Sequence, residues 1–400
     1  MKVSLLMEHR SISVEATWQN IRPYLAERGI TRVGDITGLD RIGIPVWIAV
    51  RPNSRALSVA QGKGETAARA RVAAAMEAIE SSHAECPNLP LNLDTYEGLV
   101  RRSQVVDVGA LPQVRDSLFG TRQPMFWCQA SEWSTGDRIW VPYEAVYADT
   151  TVPRLEGSGA FLTSTNGLAA GNSFEEAATH ALYELVERDA LALFRLWSEA
   201  ERHAGRVIVS TVTSRRTRDI IDHLLALGII PMIWDCTSDV GIPTYRVILF
   251  DETASATSAL HAAAFGSGCN LDREEALWSA LLEAAQSRLT AIAGARDDLS
   301  RDRYASAALT MRSFRAMAQE NGALSFDDLA NIRDYDQPID TICRALRKIG
   351  IGSVLSVQLS PPDRPYAVVK MLAPGLEGAD DSPSYLPGAR AMSRLRGHSA

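Results

Sequence analysis

One arrangement of residues occurs three times along this chain and limits the folds that it can adopt. In each copy, a glycine-rich segment precedes an alanine-rich stretch that carries two polar residues three positions apart. The glycine-rich segments are residues 62–64, 167–172 and 266–270. The polar pairs are Glu77 with Glu80, Glu184 with Glu187, and Glu283 with Gln286. A residue at or near the end of each segment lies 13 positions before its pair: Gly64 before Glu77, Gly171 before Glu184, and Asn270 before Glu283. We therefore expect internal pseudo-repeats, each a glycine loop followed by a helix.

The spacing of the polar pairs predicts a common binding site. Residues three apart on a helix share a face, so each pair points at one place. Four carboxylates in two such pairs repel one another unless a cation lies between them. Magnesium prefers a few carboxylates together with phosphate oxygens, which indicates a nucleoside triphosphate. The alternative is that these glutamates are solvated positions on amphipathic helices. Their repetition behind a glycine segment favours a site.

The composition is that of a globular enzyme. A chain of 400 residues with 46% hydrophobic and 22% charged content can bury one large core or two ordinary ones. The net charge of −7 argues against nucleic-acid binding, because a phosphate backbone requires a basic face. The five cysteines are far apart and form no CxxC, so neither zinc nor a disulfide framework is indicated. The apolar stretches are too short for a signal peptide or a membrane span, and we expect a cytoplasmic protein.

Local patterns predict a mixed α/β (α+β) fold. We expect helices over residues 66–85, 173–197 and 272–288, with Ser173 and Asp272 as N-caps for the second and third. Alternating and apolar runs predict strands, among them 44–50, 138–143, 206–210, 230–235, 244–250, 352–359 and 367–371. We expect an N-terminal appendage over residues 1–31, one ATP-binding catalytic domain over 32–380, and a flexible C-terminal tail over 381–400.

Two common nucleotide-binding motifs are excluded by inspection. A P-loop needs a glycine five positions before Gly62-Lys63 and a hydroxyl residue after the lysine, but Leu57 and Gly64 occupy those positions. A dinucleotide-binding fold needs GxGxxG between a strand and a helix, with an acidic residue at the right distance beyond it, and none is present. Lys63 can still neutralise a phosphate, with glycine backbone amides close to it.

Together these motifs resemble the YcaO superfamily, which uses ATP to activate backbone amides in ribosomally made peptides. The resemblance covers most of the chain: residues 29–32, 38–46, 62–64, 166–189, the third repeat helix and 372–377. It implies a YcaO-like fold, ATP and Mg²⁺ as cofactors, and a ribosomal precursor peptide as substrate. It also implies a TfuA-type or leader-peptide-binding partner protein. A homodimer is a further expectation, because alanine-rich helices offer apolar surface.

The resemblance also assigns roles to residues of this chain. Lys63 would contact phosphate, and four carboxylates would bind metal and nucleotide: Glu77, Glu80, Glu184 and Glu187. The rest of the pocket would be Arg188, Glu283, Gln286 and Arg296, with Asn166 and Asn172 as loop contacts. Two positions depart from the commonest family pattern: Ala73 replaces a serine, and Ser81 replaces an arginine. These departures put one phosphate or ribose contact in doubt.

The implied reaction is phosphorylation of a backbone amide oxygen, which then leaves as phosphate. An external sulfide as nucleophile gives a thioamide, whereas a neighbouring Cys, Ser or Thr side chain gives an azoline. This chain lacks the proline-rich tail of many azoline-forming members and resembles TfuA-associated members more closely. We therefore expect thioamide formation, with cyclodehydration to azolines as the alternative. Two other classes stay open: a catalytically inactive nucleotide- and peptide-binding scaffold, and an unrelated ATP-dependent ligase or kinase.

Overall fold

In a computed structural model of the chain, the described residues are 12–155, 157–254, 262–295, 307–332, 335, 337–378 and 384–397. Within these ranges the helices are Val14–Ile21 (α1), Ala67–Glu85 (α2), Tyr96–Val100 (α3), Phe174–Arg195 (α4), Glu199–Ala204 (α5), Arg215–Ala226 (α6), Arg273–Ala293 (α7), Ala307–Ala318 (α8), Pro338–Lys348 (α9) and Ala389–Gly397 (α10). The strands are Arg32–Asp35 (β1), Val46–Val50 (β2), Val59–Lys63 (β3), Asn92–Asp94 (β4), Met125–Glu132 (β5), Arg138–Pro142 (β6), Leu168–Gly171 (β7), Ile229–Asp235 (β8), Thr244–Asp251 (β9), Ala263–Cys269 (β10), Leu355–Gln358 (β11) and Ala367–Leu372 (β12).

The strands form three antiparallel sheets. The first has the order β1-β2-β3, and the second has the order β10-β9-β8. The third has the order β4-β5-β11-β12-β7, with β6 paired to β5. Helices α2, α4 and α7 pack on β3, β7 with β12, and β10 respectively. This confirms the predicted mixture of helices and strands.

The glycine segments differ from the predicted loops, because four of their six glycines lie in strands. Gly62 is part of β3, Gly171 ends β7, and Gly266 and Gly268 are part of β10. Each of these strands runs directly against the helix that follows it. A Cβ atom on Gly171 would lie 2.6 Å from the Ala177 nitrogen in α4. Glycine on the strand and alanine on the helix thus allow main chain to approach main chain.

Glycines of the first and third units contact their helices at the same sequence offsets. A Cβ atom on Gly62 would overlap the carbonyl oxygen of Ala70, eight residues on, and the nitrogen of Ala74, twelve residues on. The same atom on Gly268 would overlap the carbonyl oxygen of Ala276 and approach the nitrogen of Ala280 to 2.8 Å, at the same offsets. The first and third units therefore place their helices on their strands in the same way.

The N-termini of the three long helices are capped by side chains. Thr66 accepts a hydrogen bond from the Arg69 nitrogen, and Ser173 accepts one from the Glu176 nitrogen. Asp272 accepts one from the Glu274 nitrogen. These caps satisfy main-chain donors that have no partner inside the helix and fix where each helix begins.

One predicted strand, over residues 206–210, is absent from the structure. Arg206 and Val207 instead form isolated bridges to Trp234 and Leu324, and a 3₁₀ turn follows at Val209–Thr211. The apolar residues of this segment therefore reflect its burial and not a β-strand. Its hydrogen bonds go to two different segments, so no continuous ladder forms.

The segment before β1 packs against the first repeat helix. Ile21 is fully buried in the same core as α2, and the Arg71 guanidinium lies 4.2 Å from the centre of the Trp18 ring. The predicted division of the chain near residue 31 stays a prediction.

The C-terminal region contains helix α10, and the predicted flexible tail over residues 381–400 stays a prediction. The Arg390 guanidinium forms two hydrogen bonds to the fully buried carboxylate of Asp189 in α4, at 2.8 and 3.0 Å. The Glu377 carboxylate accepts hydrogen bonds from the Gly388 and Ala391 nitrogens at the start of α10. The order of this helix depends on tertiary contacts that local composition does not encode. Of the helices in the described ranges, none is long and apolar enough to cross a lipid bilayer.

Substituting Gly266→Ala should strongly destabilise the protein. The new methyl group would overlap main-chain atoms of Ala280 and Ala284, which cannot move without shifting α7. Overpacking of this kind costs about 3 kcal/mol or more of unfolding free energy. Gly352→Ala is the matched control, because its methyl group would have no neighbour within 4 Å. Urea unfolding should show the loss only for Gly266→Ala, and equal stability of the two variants would contradict the packing argument.

Candidate nucleotide and metal site

The polar pairs of α2, α4 and α7 meet in one cleft, where each helix contacts the strand of another unit. The Glu80 carboxylate in α2 accepts a hydrogen bond from the Ala170 nitrogen in β7, at 2.8 Å. The Glu187 carboxylate in α4 accepts one from the Ser267 hydroxyl in β10, at 2.7 Å. The Glu283 carboxylate in α7 pairs with the Lys63 ammonium in β3, at 3.1 Å. The three contacts form a closed ring, from the first unit to the second, the second to the third, and the third to the first.

The amide in the third pair suits its partner. The Gln286 side-chain nitrogen lies 3.5 Å from the main-chain carbonyl oxygen of Gln61 in β3. A carboxylate could not donate to this acceptor, whereas an amide can. The corresponding positions in the first two helices, Glu80 and Glu187, face donors.

The carboxylates of this cleft are crowded, and their pKa values show it. Burial raises the pKa of Glu80 well above its usual value, and the carboxylates of Glu184 and Glu77 raise it further. Burial raises the pKa of Glu184 to about 7, in spite of the Arg188 guanidinium. The pKa of Glu187 is also raised, by burial and by the neighbouring Glu283. Glu184 keeps 25% of its side-chain area exposed, so solvent still reaches the crowded groups.

Cationic side chains surround the carboxylates. The Arg188 guanidinium lies 4.0 Å from the Glu184 carboxylate, and Lys63 contacts Glu283. Burial alone would raise the pKa of Glu283, but the charges of Lys63 and Arg188 outweigh it and lower the pKa below its usual value. Such a mixture of charges suits a polyanion bound together with a divalent cation.

Lys370 in β12 is a further cation beside the cleft, and the sequence analysis missed it. Its side chain is almost fully buried and donates to the carbonyl oxygens of Ser164 and Asn166, at 2.6 and 2.8 Å. Burial lowers its pKa to about 8, although the charges of Glu184 and Glu80 act in the opposite direction. A lysine within the otherwise apolar run of β12 was the sequence signal for this role.

The donor set fits magnesium. Among the described residues, no three acidic, histidine or cysteine side chains are close enough together to hold a metal ion by themselves. Magnesium bound with a nucleotide usually takes one or two carboxylates and completes its octahedron with phosphate and water oxygens. Carboxylate pairs on α2 and α4 could supply that share of the ligands.

The remaining predicted residues have different surroundings. Glu77 lies on an exposed position of α2, and the Asn166 side-chain oxygen is buried without a hydrogen-bond partner. Asn172 hydrogen bonds to the hydroxyl of Thr17 in α1 and to the Glu176 carboxylate, which gives it a structural task. Arg296 lies outside the described residues.

The departures from the family pattern are also visible. The Ser81 hydroxyl donates to the main-chain carbonyl oxygen of Glu77 in the preceding turn of α2, at 3.0 Å. A separate cavity of about 530 Å³ is lined by residues such as Ile349, Gly352 and Arg390, and by none of the predicted site residues.

Comparison with known proteins identifies the family. A family model described as YcaO cyclodehydratase, ATP- and Mg²⁺-binding, matches residues 61–377. The chain belongs to the YcaO family. This description confirms the prediction of ATP and Mg²⁺ as cofactors.

Two relatives of similar length match nearly the whole chain. An uncharacterised protein in the tfuA 3′ region of Rhizobium leguminosarum bv. trifolii is 34% identical, over 97% of this chain and 93% of its own. An uncharacterised protein of Methanothermobacter thermautotrophicus is 33% identical, over 93% of this chain and 96% of its own.

Solved structures share the fold of this YcaO chain. YcaO from Methanopyrus kandleri, bound with AMPPCP and Mg²⁺, is 21% identical with a TM-score of 0.71, over 95% of this chain and 96% of that one. A heterocyclase in complex with substrate and cofactor is 19% identical with a TM-score of 0.73, over 93% of this chain and 54% of that one. The Escherichia coli microcin synthetase McbBCD complex has a chain that is 16% identical with a TM-score of 0.61, over 84% of this chain and 85% of that one.

Substituting Lys63→Met in this YcaO chain should weaken binding of an ATP analogue. The change removes the ammonium that balances Glu283 and leaves that carboxylate facing the triphosphate. A hydrogen bond to a charged group contributes about 1.5–3 kcal/mol, so the Kd should rise roughly tenfold to a hundredfold. Calorimetry with AMPPCP and Mg²⁺ measures this change. Lys348→Met, an exposed lysine on α9, is the control, and equal Kd values for both variants would exclude Lys63 from the site.

Proposed function

We propose that this YcaO protein uses ATP to replace a backbone amide oxygen of a ribosomal precursor peptide with sulfur. The observation that carries the proposal is the cleft in which carboxylates of α2, α4 and α7 meet Lys63 and Arg188. It suits a magnesium-bound triphosphate, in a family described as ATP- and Mg²⁺-binding. Structural relatives that include a heterocyclase with bound substrate support a peptide as the acceptor.

The reaction requires a poor leaving group to become a good one. Hydrosulfide adds to the amide carbonyl carbon, and the carbonyl oxygen becomes an oxyanion. This oxygen takes the γ-phosphoryl group of ATP, which releases ADP. The C–O bond then breaks to expel phosphate, and loss of the sulfur-bound proton gives the C=S bond. ATP hydrolysis thereby drives an exchange of oxygen for sulfur.

The residues of the cleft have separate tasks in this scheme. Lys63 and Arg188 would attract the triphosphate and offset charge that develops during phosphoryl transfer. Glu77, Glu80, Glu184 and Glu187 would hold Mg²⁺, which supplies electrostatic stabilisation of the transferring phosphoryl group when bound. Glu283 and Gln286 keep β3 against α7, and so keep Lys63 in place.

The tfuA-linked relative favours the thioamide product. The Rhizobium protein lies in the tfuA 3′ region and is similar over nearly its whole length. We therefore propose a TfuA-type protein as the partner, with a leader-peptide-binding protein as the alternative. We also propose that the protein acts in the cytoplasm, where its peptide is made, and that it can form a homodimer.

Azoline formation is the second candidate, because the matching family model is that of YcaO cyclodehydratases. In that case the nucleophile is a Cys, Ser or Thr side chain next to the amide, and water is lost without sulfide. A non-catalytic scaffold fits less well. A chain that turns nothing over has no need for carboxylates whose burial and mutual repulsion must be offset.

Mass spectrometry of a candidate precursor peptide tests the proposal. The peptide, encoded beside the gene for this chain, is incubated with the protein, its TfuA-type partner, MgATP and sulfide. We expect a mass increase that corresponds to one sulfur in place of one oxygen. Glu80→Gln and Glu187→Gln should each abolish it, because each removes one charge from the proposed metal ligands.

Glu175→Gln serves as the matched control on the same helix as Glu187, since Glu175 is exposed in the first turn of α4. This variant should modify the peptide at the wild-type rate. Loss of water without a requirement for sulfide would replace the thioamide proposal with azoline formation. An unmodified peptide in the presence of bound ATP would favour the scaffold.

A further inference from the structure

Ser267 lies where the second and third units meet. It is fully buried in β10, inside the third glycine segment. Its hydroxyl oxygen is 2.7 Å from one oxygen of Glu187 in α4 and 3.1 Å from one oxygen of Glu283 in α7. One side chain therefore contacts a carboxylate of each neighbouring helix.

Counting hydrogens shows which carboxylate receives the hydroxyl proton. A serine hydroxyl carries a single proton, so it can donate to only one of the two carboxylates at a time. Glu283 already accepts from the Lys63 ammonium at 3.1 Å and from the Ser267 main-chain nitrogen at 3.3 Å. Among the described residues, the Ser267 hydroxyl is the donor that hydrogen bonds to the Glu187 carboxylate. The proton therefore belongs to the bond with Glu187.

We propose that Ser267 is a positioning residue that fixes the Glu187 carboxylate for binding of a divalent cation. The hydroxyl holds one oxygen of Glu187 and leaves the other oxygen for the cation. Glutamate has three rotatable side-chain bonds, and α4 alone does not select one rotamer for Glu187. The bond from β10 selects it and ties the second unit to the third.

The size of the effect follows from the behaviour of residues that orient metal ligands. Removing a hydrogen bond to a metal-ligating carboxylate typically lowers metal affinity roughly 10- to 100-fold. In the first carboxylate pair, the residue that holds Glu80 is not a hydroxyl side chain but a main-chain nitrogen of β7. The position where the family pattern has a serine is occupied by Ala73, which has no hydroxyl. Each of these two glutamates is therefore held by a donor from the strand of another unit.

The test compares two variants of the same shape, Ser267→Val and Ser267→Thr. Both add the same bulk to a buried strand position, but only threonine keeps the hydroxyl. The full-length protein is saturated with AMPPCP, and Mn²⁺ in place of Mg²⁺ is titrated by electron paramagnetic resonance. We expect the Mn²⁺ Kd of Ser267→Val to exceed that of Ser267→Thr by about tenfold or more. The melting temperatures of the two variants are compared as well. A merely structural role of Ser267 would change these temperatures.

Two further variants keep the test decisive. Ser267→Ala removes the hydroxyl without added bulk, so it should also bind Mn²⁺ about tenfold or more weakly than wild type. Ser81→Ala is the control, because its hydroxyl also lies beside a carboxylate pair but bonds to a main-chain carbonyl. It should bind Mn²⁺ as tightly as wild type does.

Equal Mn²⁺ affinity of the valine and threonine variants would overturn the role of Ser267, with wild-type binding intact. The inference rests on the proposed role of Glu187 as a metal ligand, so a wild-type protein that binds no Mn²⁺ would overturn both. The experiment uses no peptide, and its result is therefore independent of whether the product is a thioamide or an azoline.

Discussion

The close contact between glycines on strands and alanines on helices determines the rest of this structure. A single methyl group at Gly62, Gly171, Gly266 or Gly268 would overlap or crowd main-chain atoms of the following helix. Because main chain lies on main chain, each helix has little freedom to slide or rotate on its strand. The polar pair farther along each helix is therefore delivered to a defined place. Three such units deliver their pairs to the same cleft, which no one unit could build alone.

The cleft brings several carboxylates and cations close together. An ordinary hydrophobic core gains nothing from such an arrangement, which therefore indicates a functional site. Burial and mutual repulsion act against ionised Glu80, Glu184 and Glu187, while Lys63, Arg188 and Lys370 partly offset their charge. A divalent cation bound together with a triphosphate would add charges of both signs beside these groups. The contacts between units matter here as well. Glu80, Glu187 and Glu283 each bond to a strand of another unit, so the site and the packing of the units depend on the same side chains.

The glycine segments and their polar pairs are visible in the sequence because they are local patterns of fixed spacing. The predicted ends of the three long helices differ from the observed ones by a few residues at most, with the largest difference at Ala293. What escaped prediction depends on contacts between distant residues. Lys370 is part of an apolar strand and comes to lie beside the carboxylate cleft only when β12 pairs with β7. Helix α10 is ordered by Asp189 and Glu377, and the run at Arg206 distributes its bonds over two segments. The glycines were correctly singled out, but their reason is strand packing, which spacing alone does not distinguish from a loop.

The most direct test of this account is diffraction from crystals grown with AMPPCP and Mn²⁺, using the anomalous signal of manganese. The account predicts manganese between the carboxylate pairs of α2 and α4, with the triphosphate against Lys63. Manganese or nucleotide bound elsewhere, for example in the cavity beside Gly352 and Arg390, with the carboxylate pairs free of metal, would contradict it.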